Sequence, residues 1–265
     1  MRPCALLAAA LIAITLGGTP SKAEQVDLEL LLLVDVSRSM SSDELKIQRE
    51  GYARALTSDS VAAALGRTLT GRIALAYVEW AGENRHTVLH DWTRIDGRAD
   101  LERFAATLLQ SRSITQSRTS ITSALRFGAF MLDTNEFDGL RRVIDISGDG
   151  PNNQGGLVTE ARDEALAEGI IINGLPLMTR DIWGERWRLE DLDVYYTRCV
   201  IGGPGSFVVP VREWRDFTAA VTRKLVLEIA GGPTERLYAV QAAAPYDCEV
   251  GEKMWRRNRP FDDLP

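Results

Sequence analysis

Short apolar runs of strand length alternate with longer stretches of helical period between residues 28 and 230, and this alternation leaves few folds open. A run such as 28–36, apolar at most positions, suits a strand buried on both faces, and such strands belong to sheets whose parallel neighbours are joined through covering helices. Ser42-Asp43-Glu44-Leu45 opens a helix whose apolar positions Leu45, Ile47, Tyr52, Leu56 and Val61 carry it to Leu65. Residues 71–80 and 86–92 read as two strands joined at Gly82-Glu83-Asn84, a hairpin that places one antiparallel strand at a sheet edge. Helices over 100–109 and 121–132, a strand over 142–147, a helix over 158–168 ended by Gly169 and a strand over 170–177 follow. Periodicity is lost over 178–200, where Trp183, Trp187, Tyr195 and Tyr196 crowd together. This predicts an insertion with a short helix, then a last strand over 207–211 and a closing helix over 213–230. The expected fold is α/β: a doubly wound, mostly parallel sheet with one antiparallel edge strand and helices on both faces.

Residues 1–23 stand apart. Arg2, an apolar run over 5–16 and the small-x-small site Ser21-Lys22-Ala23 read as an export signal cut before Glu24. That leaves a domain over 24–230 and a C-terminal extension over 231–265, opened by Gly231-Gly232-Pro233 and showing little periodicity. The apolar run is shorter than the ~20 residues a membrane span needs, and no other stretch comes near, so no span is expected. The chain carries 31 basic and 37 acidic side chains, a net charge of −6 that becomes more negative once Arg2 and Lys22 leave. Such a surface repels phosphate backbones. The one cationic cluster, Lys253, Arg256, Arg257 and Arg259, reads as a solvated end, and nucleic-acid binding is not expected. Cys4 leaves with the signal; Cys199 and Cys248, left in an oxidising compartment, suggest one disulfide. If they pair, the long loop so closed contributes roughly 4 kcal/mol and pins the tail to the body.

The residues with a chemical signal sit where strands end. Asp35-Val36-Ser37-Arg38-Ser39 follows the first strand immediately before a helix, and ligands of open α/β sheets bind at that carboxyl edge. A carboxylate and two hydroxyls at alternate positions of a turning backbone can point into one pocket, and oxygen-only ligation suits a hard cation such as Mg²⁺. Two further loops should reach the same edge: Arg118-Thr119-Ser120, before the helix over 121–132, and Ser147-Gly148-Asp149-Gly150, after the strand over 142–147.

Together these segments resemble the von Willebrand factor type A domain, whose metal-ion-dependent adhesion site combines an Asp-x-Ser-x-Ser turn, a distant Thr and a distant Asp followed by Gly. All of these positions are filled, in the family's order, within about residues 27–230. The resemblance implies that Ser37, Ser39 and Thr119 ligate through hydroxyls and that Asp35 and Asp149 bind directly or through water. One coordination position would stay open for an acidic side chain of a partner. Val78-Glu79-Trp80-Ala81-Gly82, the stretch Ile146-Ser147-Gly148-Asp149-Gly150-Pro151-Asn152-Asn153 and Ile201-Gly202-Gly203-Pro204-Gly205 further resemble a bacterial family of exported A-domain proteins. The expectation is a non-enzymatic, adhesion-type module, periplasmic or extracellular, that recruits an unidentified protein ligand through Mg²⁺ or Mn²⁺. A metal-assisted hydrolase or phosphatase would need a general base or nucleophile that the sequence does not locate. A third possibility is a structural envelope protein whose metal serves stability alone.

Four more polar residues invite a role beside the metal. Glu79 and Asp145 interrupt apolar strands, where an unpaired charge is costly; they either support the pocket or are hydrogen-bonded to Arg, Trp or backbone near a strand end. Asn152 and Asn153 follow the Asp149 loop and either orient metal-bound water, contact a partner or form a turn. His86 and His90 would share an ion on a helix, but on a strand they lie ~13 Å apart, so a joint zinc site is not expected.

Overall fold

The computed structural model describes residues 23–179, 188–231 and 246–262, so the expected export signal, Trp183 and Trp187 lie outside it. In chain order, β1 (Glu24–Val26) and β2 (Leu28–Asp35) lead to α1 (Ser42–Leu56) and α2 (Asp59–Leu65). Next come β3 (Ile73–Trp80), β4 (His86–Ile95), α3 (Arg98–Gln110), α4 (Ile121–Thr134), β5 (Phe137–Gly139) and β6 (Arg142–Gly148). The order ends with α5 (Val158–Ala167), β7 (Ile170–Pro176), α6 (Leu192–Tyr195), α7 (Phe217–Ala230) and α8 (Val250–Asp262).

The main sheet has the order β4-β3-β2-β6-β7, parallel throughout except for the edge strand β4. Every residue of β2 is buried, as its unbroken apolar run demands. Alternation along that strand divides the core. Leu30, Leu32 and Val34 pack with α1, α2, α3 and α7, while Leu31 and Leu33 pack with α4, α5 and α6 on the opposite face. From β2 the chain winds one way to β3 and later crosses to β6 on the other side, so the carboxyl ends of β2 and β6 flank the point where the winding reverses. A crevice opens there in folds of this kind.

The structure departs from the sequence reading in four places. The helix expected over 42–65 is two helices, because Ser58 turns its hydroxyl to the Val61 N–H at 3.3 Å and starts α2 afresh. The last strand expected over 207–211 is reduced to single parallel bridges, Gly174 with Val208 and Leu177 with Val211. A small parallel pair, β1 with β5, was not anticipated; three residues are too few to show a period. The C-terminal extension, read as aperiodic, contains α8, whose Val250 and Met254 stand four apart and face the body. Cys199 and Cys248 are bonded, with Cα atoms 5.6 Å apart.

Candidate metal centre

The turn after β2 is set by its own side chains. The Ser37 N–H donates to Asp35 Oδ1 at 2.7 Å, and the Met40 N–H donates to the Ser37 carbonyl at 3.1 Å, which folds the backbone so that positions 35, 37 and 39 face one way. The hydroxyls of Ser37 and Ser39 are 2.9 Å apart, and Ser39 Oγ donates to Asp149 Oδ1 at 2.8 Å across the end of the sheet. Four of the five expected donors therefore form one continuous hydrogen-bonded chain. The fifth, Thr119, is buried and lines the same cleft as Ser39 and Asp149.

What carries Thr119 there is the pair of asparagines. The Thr119 N–H donates to Asn153 Oδ1 at 3.1 Å, and the Asn153 N–H returns a bond to the Thr119 carbonyl at 2.9 Å. Asn152 Oδ1 accepts the Thr122 N–H at 3.1 Å in the first turn of α4, and the Asn152 N–H donates to the Tyr195 hydroxyl at 3.1 Å. Neither asparagine side chain serves a mere turn: both tie the loop after β6 to the loop before α4. Ser120 completes the junction, capping α4 at the Ser123 N–H while its own hydroxyl donates to the Gln154 carbonyl at 2.9 Å.

Burial, and then the negative charge of Asp149, push the Asp35 carboxyl well above the ordinary carboxylate range; hydrogen bonds from Ser37 oppose this without overcoming it. No lysine or arginine is among the groups acting most strongly on Asp35. Its Oδ2 is buried and accepts no hydrogen bond among the described residues. A buried, unsatisfied carboxylate oxygen beside a second carboxylate and three hydroxyls is a donor set that a hard divalent cation fits. Among the described residues no three His, Cys, Asp or Glu side chains come together to hold a metal, so an ion here would depend on the hydroxyls as well as the carboxylates.

Gly148 permits the close approach behind the site: a Cβ there would lie 2.8 Å from the Tyr196 hydroxyl and 3.0 Å from Asp35 Oδ2. Tyr196 carries no signal of its own in the sequence, whereas Gly148, squeezed between Ser147 and Asp149, could have been found as a position with no room.

Glu79 and Asp145 do not join this cluster. By alternation both point to the α1–α7 face, away from Asp35. Glu79 accepts a hydrogen bond from Ser113, and Asp145 pairs with Lys224 of α7 at 2.8 Å. His86 and His90 are also separate, stacked on Phe127 at 4.4 Å and on Phe104 at 4.0 Å between ring centroids. Those rings belong to helices on opposite faces, because a bulge where Tyr77 and Val78 pair with β4 breaks the alternation.

A family model described as protein of unknown function, DUF1194, matches residues 25–233. The chain belongs to the DUF1194 family. No curated protein matches it by sequence. Among solved structures, this DUF1194 chain is similar to proximal thread matrix protein 1 of the mussel byssus, in a form whose metal-ion-dependent adhesion motif is occupied by zinc. The TM-score is 0.54 at 10% identity, over 78% of this chain and 49% of that one. It is also similar to the pilus adhesin SpaC of Lactobacillus rhamnosus GG in its open conformation, with a TM-score of 0.53 at 13% identity, over 78% of this chain and 31% of that one. The chain thus spans at most half the length of these proteins, and at such identities the likeness is one of fold. The fold is von Willebrand factor A-like, a mostly parallel sheet with helices on both faces.

Proposed function

We propose that this protein is an exported, adhesion-type module that binds a protein ligand through a divalent cation, Mg²⁺ or Mn²⁺, held by Asp35, Ser37, Ser39, Thr119 and Asp149. The observation that carries the reading is the hydrogen-bonded chain from Ser37 through Ser39 to Asp149, ending beside the bare, buried oxygen of Asp35 at the reversal point of the sheet. The ion would supply positive charge to this acidic pocket and a coordination position for a partner's carboxylate. The Asn152 and Asn153 bonds hold the loops so that the donors need not be ordered anew on binding. Export is consistent with the single disulfide, since such bonds persist in oxidising compartments.

Mass action gives the test. An ion at about 100 times its dissociation constant stabilises the fold by ~2.7 kcal/mol, and a shift of that size raises the melting temperature by roughly 5–11 °C for a domain of this size. Mg²⁺ or Mn²⁺ should produce that shift in the wild type and none in Asp35→Ala or Asp149→Ala. Retention of a partner from envelope extract should then be lost on adding chelator. An unshifted wild type would refute the metal site, and turnover of phosphate or ester substrates that depends on Asp35 would refute a purely binding role.

A further inference from the structure

We propose that α8 is a positioning element for the metal site, clamping the two loops that bring Thr119 and Asp149 together, and that the Cys199–Cys248 disulfide makes this clamp sensitive to reduction. The proposal rests on the metal-binding reading above. At the start of α8, backbone meets backbone: Gly251 is buried so close to the loop after β6 that a Cβ would lie 1.9 Å from the Asn152 carbonyl oxygen. The next side chain, Glu252, accepts the Asn152 Nδ2 at 2.6 Å, and that is the asparagine whose Oδ1 holds the Thr122 N–H.

On the same helix, Trp255 lies beneath the Arg118 guanidinium, 4.1 Å from the ring centroid. Arg118 immediately precedes Thr119 and has φ of 77°, a left-handed conformation that a non-glycine side chain keeps only where its surroundings hold it. Between these contacts Met254 lines the cleft together with Thr119 and Asp149. α8 therefore grips one loop at Asn152 and the other at Arg118, and forms a wall of the space a ligand must enter.

Val250 and Met254 pack on the body, while Lys253, Arg256 and Arg257 are exposed. A covalent tether adds to these contacts. Cys248, two residues before α8, is bonded to Cys199 in the π-helical turn over Tyr196–Val200, and Tyr195 just before that turn accepts the Asn152 N–H. Cys199 is buried but Cys248 is partly exposed, so a dithiol can reach the bond. Such a reductant delivers two electrons and two protons to the disulfide, leaving two thiols and becoming a disulfide itself. The clamp then depends on the noncovalent contacts alone.

Mn²⁺ binding to the full chain, followed by the paramagnetic resonance signal of the free ion, tests this. Oxidised wild type should bind. The dithiothreitol-reduced protein, the double variant Cys199→Ala/Cys248→Ala, Gly251→Val and Trp255→Ala should each bind about 10- to 100-fold more weakly, the range seen when groups that orient metal ligands are removed. Amide exchange over residues 116–122 and 149–156 should accelerate in all four while far-ultraviolet circular dichroism is retained. Gly251→Val risks misfolding, whereas Trp255→Ala removes the partly buried ring beneath Arg118 without crowding the backbone and keeps the test decisive. Undiminished Mn²⁺ affinity in the reduced protein and in Trp255→Ala overturns the proposal while leaving the metal site intact. Failure of the oxidised wild type to bind Mn²⁺ overturns both.

Discussion

Glu228→Gln should make the protein more stable at alkaline pH and flatten its pH profile. Lys224, Asp145 and Glu228 form a buried cluster beneath the sheet: Lys224 Nζ lies 2.8 Å from Asp145 and also contacts Glu228, whose Oε1 accepts Asn173 Nδ2 at 3.2 Å. One cation there faces two carboxylates. Burial, and then the charge of Asp145, raise the Glu228 carboxyl from 4.5 to about 8, so it holds a proton in the folded protein at neutral pH. Between those two values the folded state binds more protons than the unfolded state, and unfolding free energy falls as pH rises. At about 1.4 kcal/mol per unit the loss approaches ~5 kcal/mol once pH has passed the folded value. Glutamine keeps an acceptor for Lys224 and an N–H for Asp145 without the titration. Urea denaturation of both proteins at pH 5, 7 and 9 checks this: the curves should lie close together at pH 5, with the variant ahead by several kcal/mol at pH 9. Parallel profiles, or a variant that weakens with pH as the wild type does, would refute the assignment of the extra proton to Glu228.

Lys224→Met removes the only cation in that cluster among the described residues and should cost about 3–5 kcal/mol at neutral pH, because Asp145 is left buried without its partner; urea midpoints measure it. Gly148→Ala should abolish the cation-induced melting shift, since its methyl carbon has to occupy space 3.0 Å from Asp35 Oδ2 and 2.8 Å from the Tyr196 hydroxyl; an undiminished shift would mean that the turn tolerates displacement of Asp35.

Much of this fold can be read along the chain because its signals are local. The run Leu28–Asp35 is apolar on both faces, and only a central strand can satisfy it; the Gly82-Glu83-Asn84 turn is short enough to force β3 and β4 into a hairpin. The candidate oxygen donors stand out in the sequence for a related reason, since each closes a strand or opens a helix, and in a doubly wound sheet those ends share one edge. What the sequence could not show is partnership across the fold. Asp145 belongs to Lys224, 79 positions away, and nothing near either residue announces the other. The sequence leaves Asn152 and Asn153 open between a turn and a role beside the metal because their distinguishing bonds go to Thr119 and Thr122, about thirty positions earlier. The failure of 207–211 to form a full strand has the same origin: its residues meet β7 only at single bridges, which local propensity does not record.

The sheet separates two acidic clusters whose surroundings differ. On the α7 face, Asp145 and Glu228 meet a lysine supplied by the chain and, at neutral pH, a proton held by Glu228. On the α4 face, the groups acting on Asp35 are burial, Asp149 and hydrogen-bond donors of the adjacent turns, and one oxygen is left bare. The first joins α7 to β6 through the Lys224–Asp145 pair. In the second, Asn152, Asn153 and Ser120 hold the loops around Thr119 and Asp149 in register. On the proposed reading, donors held in register in this way need no reordering when a cation arrives, which is how a binding site draws affinity from preorganisation.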